Sequence, residues 1–479
     1  MPPSSAPSPP QGSVVEKDAE AAVYGEQPSL PVSSPPQTKA QRRTELVQVS
    51  TIAWILFLVG WNDGSTGPLL LRIQESYGVG YTILSLIFVF GCVGSFVGSV
   101  SNIVFDSKYG FGKLILLGSF LQIIGFALQA PHLPFPVFVL ARTITGFGSA
   151  MQDSQGNGYV ASLASNHAGT PMAIIHAAYG AGAVAPPPKN SLLLTPPGAL
   201  VSPLVATQFA RDEFIAHNRW AYHFITTAGL TTLNTAVLAW VFKGKRQEEC
   251  LAWVGQVSPP KAEAEPGTKQ RSNFRQIMAK PAVHALAAFL LVYAGIEVTV
   301  GGWIVSFMVT VRGAGPSAGY IASGFFGGLT LGRIVLLPIN RLVSASLPAG
   351  TNSPSPQLGE YRAVFLYTIL ALGLQLITWL VPSIPAGATA VSLVGLFLGP
   401  LYPIAVNHAG RLFPSSDGDG LLTGIIGWMA GVSTVGAAGA PFITGAIAGA
   451  GGKGVGVVQP VIVAMLGAML GVWALVPRR

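Results

Sequence analysis

The sequence predicts an all-α polytopic membrane protein, with twelve transmembrane helices in two pseudo-symmetric six-helix bundles. Three observations carry this expectation. Half of the residues are hydrophobic and only 10% are charged, where soluble domains carry about 25% charged residues. The apolar residues fall in repeated segments of about 20, the length that crosses roughly 30 Å of hydrocarbon. A charged loop, 243–280, divides those segments six and six.

Taken in order, residues 1–45 are rich in Pro, Ser and charge and read as a disordered cytoplasmic tail without a cleavable signal peptide. Four spans are expected near 47–71, 82–103, 113–130 and 135–160. The first carries Asn62 and Asp63 among Gly60, Gly64 and Gly67, a pattern that suggests a locally distorted helix. The fifth, near 172–210, is interrupted by Pro186-Pro187-Pro188 and Pro196-Pro197, which cannot continue a helix. Removing 184–199 would leave one continuous span, so this stretch is expected to be either an in-frame translated intron or gene-model error, or a true insertion that protrudes toward the outside. The sixth span, near 219–242, completes a first bundle over 46–242. After the cytoplasmic loop 243–280, spans near 281–308, 317–341, 361–381, 388–410, 421–449 and 456–476 form a second bundle over 281–479. With both termini inside, 19 Lys/Arg fall on cytoplasmic segments and 5 on external ones. That asymmetry is the orientation signal of a multi-pass protein. It accounts for the net charge of +8 without a nucleic-acid partner. Cys92 and Cys250 imply no disulfide framework, and no cofactor, metal-ligand or nucleotide motif is evident.

The halves repeat. Asp63 corresponds to Glu297, Gly67 to Gly301, Gly98 to Gly332 and Asp106 to Asn340, all at one offset of 234 residues. Paired repeats with a solute site between them are a transporter architecture.

Several motifs point the same way. "NIVFDSKYGFGK" after span two and "RTITGFG" in span four resemble signatures of the major facilitator superfamily. A closer set resembles the fucose–proton symporter family and its fungal-type relatives. The set comprises Asn62-Asp63 in span one, then Asp153, Asn157 and Tyr159 in span four. It continues with Glu297 within "YAGIEVTVGGW", Gly332-Arg333 in span eight and "GPLYPIAVNHAG" in span ten. The resemblance covers roughly 50–476 and departs from the family at Gly158, where proline is expected. It implies the twelve-helix fold and transport of a sugar-like solute with protons.

Ionisable groups inside a membrane are functional candidates. Asp63, Asp153 and Glu297 are expected to serve proton coupling, with Arg142 and Arg333 balancing their charge. For Asp63 the alternative is a structural pairing with a nearby arginine or helix terminus. For Asp153 it is an Asp–Arg brace across the bundle. Asn62, Gln152, Gln155, Asn157 and Asn407 are candidate solute ligands, because amides offer both donors and acceptors to hydroxyls. Tyr293, Trp303 and Tyr402 are candidates to stack on a sugar face; packing is the other reading of all three. Together these features predict a proton-coupled secondary transporter working as a monomer in the plasma membrane. A proton-independent uniporter and a non-transporting nutrient sensor are the alternatives. No catalytic constellation points to an enzyme.

Overall fold

The structure is a computed structural model. It describes residues 37–163, 175, 178, 198–211, 216–256, 275–346, 356–413, 421–450, 452 and 454–478. Among these there is helix and no strand. The first half comprises α1 (Lys39–Tyr77), α2 (Tyr81–Leu84), α3 (Leu86–Tyr109), α4 (Phe111–Gln129), α5 (Phe135–Ala161), α6 (Gly198–Phe209) and α7 (Tyr222–Phe242). A short helix, α8 (Gln247–Trp253), follows in the central loop. The second half comprises α9 (Pro281–Thr310), α10 (Tyr320–Ser346), α11 (Pro356–Leu380), α12 (Ile384–Leu398), α13 (Leu401–Leu412), α14 (Leu421–Ala450) and α15 (Val458–Leu475).

Ten helical segments among the described residues are long and apolar enough to cross a membrane. The remaining two spans are α5 and the fifth. α5 has 27 residues, ample length, but Arg142, Gln152, Asp153, Gln155 and Asn157 lower its hydropathy. Most of the interrupted stretch lies outside the described residues. Of the fifth span, Ile175 and Ala178 are helical and buried in the core of the first half, one helical turn apart. α6 resumes at Gly198, and Val201 and Val205 pack on the same core. Residues on both sides of the proline-rich stretch therefore reach one core.

α1 begins at Lys39, inside the expected tail. Thr38 and Gln41 form a capping box that satisfies the first free amides, and Gln37 reaches the Val254 carbonyl beside α8 at 2.8 Å. The helix ends at Gly78, whose φ of 62° is the left-handed turn that glycine adopts without penalty. Span ten departs from the expected continuous helix over 388–410. It breaks between α12 and α13 at Gly399-Pro400, because proline cannot donate the next helical bond.

The internal repeat is physical. Gly98 packs against the Phe147 backbone of span four, and its repeat mate Gly332 packs against the Leu396 backbone of span ten. The halves meet where α1 packs on α9, α6 on α10, and α2 and α3 on α14. These contacts lie toward the ends of the helices remote from the N-terminal tail. Gly67 abuts the Gly301 carbonyl, Gly445 lies against Ser85, and Gln208 donates to the Tyr320 hydroxyl. Trp303 closes the same end, fully buried beside Phe88 and Tyr81, with its indole donating to the Pro441 carbonyl at 3.1 Å.

Candidate functional site

Below that closed end the two halves enclose a cavity of about 290 Å³. The first half lines it with the polar Asn62, Asp63, Thr66, Ser95, Arg142, Thr145 and Ser149 and with Val59, Ile87, Phe88, Gly91, Cys92 and Gly146; the second with Glu297, Val298, Gly301, Gly302, Phe326, Thr434 and Ala437. The first-half wall is mixed and carries most of the hydroxyls. The other is mostly apolar apart from one carboxylate and one hydroxyl. The volume lies at the lower edge of small-molecule sites.

Asp63 and Glu297, the repeat-related acids, both reach this space. Asp63 is exposed there although it sits in the middle of an apolar helix. Arg142 donates to Asn62 Oδ1 at 2.7 Å and to Thr66 Oγ1 at 3.5 Å, which anchors α5 to α1 at the cavity wall. Glu297 stands 3.9 Å from Arg333, a loose pair. Arg333 also donates through Nε to the Gly399 carbonyl at 3.2 Å. That carbonyl lies at the break in span ten, and the residue four places on is Pro403, which has no N–H to give it, so Arg333 satisfies backbone that Pro403 leaves open. Tyr293 is buried beside Arg333, with its hydroxyl at 3.5 Å, and it packs on Tyr402. These four residues form one cluster behind Glu297.

Other expected site residues lie elsewhere. Gln152 donates to the Ile115 carbonyl at 2.9 Å and accepts from Gln122 at 2.7 Å, a bond between spans four and three. Gln155 donates to Asn102 at 3.0 Å and Asp106 at 3.1 Å, tying span four to the end of span two. Asn157 donates to the Asp153 side chain at 3.0 Å, one turn back on its own helix. In this conformation these amides bond within the first half and do not line the cavity. Asp153 takes Asn157 as its partner and does not brace Arg142, which lies 11 residues or about 16 Å away along the helix. Trp303 is enclosed at the closed end, and Asn407 is exposed on α13 outside the cavity lining. Sequence reasoning did not pick out Phe88, Ser95, Thr145, Ser149 and Phe326, which line the cavity. They carry no charge, and small hydroxyls and phenylalanines are ordinary in membrane helices, so only their position marks them.

The sequence model of the Major Facilitator Superfamily matches residues 52–351. The chain is 25% identical over 425 residues to Bypass of stop codon protein 6 of Saccharomyces cerevisiae, which spans 84% of this chain and 78% of that protein. In fold it is similar to the D-xylose-proton symporter, with a TM-score of 0.65 and 14% identity over 90% of this chain and 98% of that one. It is also similar to the E. coli fucose:proton symporter, with a TM-score of 0.56 and 13% identity over 92% of this chain and 100% of that one. The repeated six-helix halves, the cavity between them and the match over most of the sequence lead to one conclusion: the chain belongs to the Major Facilitator Superfamily, a family of multi-pass membrane transporters.

Proposed function

We propose that the protein moves a sugar or similar small polar solute together with protons, by alternating access. The observation that supports this best is the central cavity, where Asp63 from one half and Glu297 from the other face a single space beside Arg142. The mixed lining suits a pyranose-like solute, with hydroxyl groups toward Asn62, Thr66, Ser95 and Ser149 and an apolar face toward Phe326 of one half and Phe88 of the other. The fold shared with the D-xylose-proton and fucose:proton symporters supports the same solute class.

In this reading Asp63 carries the proton. Coupling requires that its protonated and charged forms be favoured in different conformations. An exposed cavity position next to a guanidinium supplies one such environment, and enclosure in a dry site supplies the other. Glu297, 3.9 Å from Arg333, shapes the solute side. Asp153 takes a secondary part in coupling, at the end of the bundle nearer the tail. Gln152, Gln155, Asn157, Tyr293, Trp303, Tyr402 and Asn407 then act by holding helices in place or in a conformation other than this one. The excess of Lys/Arg on tail-side segments makes that side cytoplasmic. The contacts between halves lie at the opposite end, so the cavity faces inward, and we read the membrane as the plasma membrane.

The test is uptake by proteoliposomes across a panel of labelled sugars and nucleosides, with and without an imposed pH gradient. Uphill accumulation of a panel member that collapses with a protonophore is the expected result. Equilibration unaffected by the protonophore would make the protein a uniporter. No uptake of any member would remove the solute assignment.

A further inference from the structure

The first half contains a second, smaller void, of about 20 Å³, behind the wall of the central cavity. Its polar side is formed by Asn62, Ser65, Thr66, Arg142, His223 and Thr227. Asn62, Thr66, Ile87 and Arg142 line both spaces, so they are the partition between them. A single water needs about 10–15 Å³ and two to four polar partners, and this void meets both conditions.

His223 is the least expected member. It is 1% exposed, on α7, with its ring stacked on Trp61 at 5.9 Å and 4°. Its Nε2 lies 2.9 Å from Ser65 Oγ, and Trp61 Nε1 donates to Thr227 at 3.0 Å. These contacts fix the ring on two sides. Its Nδ1 is buried without a protein partner, and so is Arg142 Nε. The rest of the lining, Leu69, Ile73, Ile87, Phe126, Phe138 and Phe224, is apolar. Two buried polar atoms without protein partners, on residues that line one void, call for a shared hydrogen-bonding bridge, because an unsatisfied buried group is costly.

We propose that this void is a water site and that His223 is a positioning residue: the water joins its imidazole to the Arg142 guanidinium and holds that cation in the cavity wall. The guanidinium then has Asn62 and Thr66 on one side and the water with His223 behind it. Its approach to Asp63 is set from α7, a helix that contributes nothing to the central cavity lining.

Cryo-electron microscopy of the full chain in lipid nanodiscs, at a resolution that shows ordered water, tests the site directly. A density peak is expected within about 3 Å of both His223 Nδ1 and an Arg142 nitrogen. A dry void in the wild type would overturn the proposal. In His223→Leu the guanidinium should leave Asn62, and in His223→Gln, which keeps hydrogen-bonding capacity, it should stay. If His223→Leu does not fold, the wild-type and His223→Gln maps still decide: loss of the peak in His223→Gln with Arg142 unmoved would refute the positioning role. A final arm rests on the transport reading above. The half-saturation for the best panel sugar should rise threefold or more in His223→Leu and return to the wild-type value in His223→Gln. Absence of any uptake by the wild type would count against the transport reading alone, since the maps need no solute.

Discussion

Gly67→Ala should shift the protein away from the conformation seen here. A methyl group built on Gly67 falls inside 3.0 Å of the Gly301 carbonyl oxygen and 3.3 Å from its carbonyl carbon, where ordinary contact begins at 3.4 Å. Both atoms are backbone, so no rotamer change relieves the clash, and α1 and α9 must part by about an ångström. Overpacking of this kind costs about 1–3 kcal/mol. The penalty falls only on the conformation in which these helices touch. It therefore moves the balance toward conformations open at that end by roughly 5- to 150-fold. The repeat mate provides an internal control. A methyl on Gly301 meets the tip of the Phe326 ring at 2.8 Å, a side-chain atom that can move, so Gly301→Ala should shift the balance much less. Spin labels at Glu75 and Val311, both exposed near this end, would report the distance by electron–electron resonance with Cys92 and Cys250 replaced by alanine. Gly67→Ala should lengthen the distance distribution, and Gly301→Ala should leave most of it unchanged. An unchanged distribution in Gly67→Ala, or a larger shift in Gly301→Ala, would refute the reasoning.

Asp63→Asn should abolish uphill accumulation while sparing counterflow exchange, since exchange needs binding and reorientation but no titrating carboxylate; pH-driven accumulation like that of the wild type would rule out the proton role. Asp153→Asn keeps an acceptor for Asn157 and should reduce accumulation less than Asp63→Asn does, with an equal or greater loss counting against the ranking of the two acids. Gln155→Leu strands Asn102 and Asp106 and should destabilise the first half by about 1–3 kcal/mol, read as a lower detergent melting temperature. An unshifted melting temperature would show that these bonds carry no net stability. Deleting 184–199 should preserve folding and monodispersity, because Ile175, Ala178, Val201 and Val205 on either side already reach one core. An aggregated product on size-exclusion chromatography would show that the stretch is integral.

The path from sequence to fold was short where the signal was additive. Apolar length and low charge were enough for the all-helical membrane fold, and Asp63 and Glu297, singled out by their fixed offset, both line one cavity. Facing was harder to read. Gln152, Gln155 and Asn157 make span four polar at every turn, and hydropathy cannot say which side meets solute and which meets a helix. That choice is made by Gln122 on span three and Asn102 on span two, partners remote in sequence. Arg333 shows the same limit. Its charge suggested an ion pair, but its firmer bond goes to the Gly399 carbonyl, and the Gly399-Pro400 pair was the available signal for that break. His223 carried no pattern at all in sequence. Its place depends on Trp61 and Ser65, which approach it from more than 150 residues away.

Gly67 and Gly301, which touch, are also equivalent positions of the two halves. Equivalent positions of two copies can touch each other only on the rotation axis that relates them, as in the interface of a symmetric dimer. In such a dimer every substitution is made twice, and the residue facing the centre must suit both copies at once. Joining the copies in one chain lifts that constraint while keeping the axis. Asp63 then stands beside Arg142 and its own mate Glu297 beside Arg333, two different neighbourhoods at equivalent positions of the repeat. Glycine at the centre preserves the pivot, and the acids four residues away on each side are free to specialise.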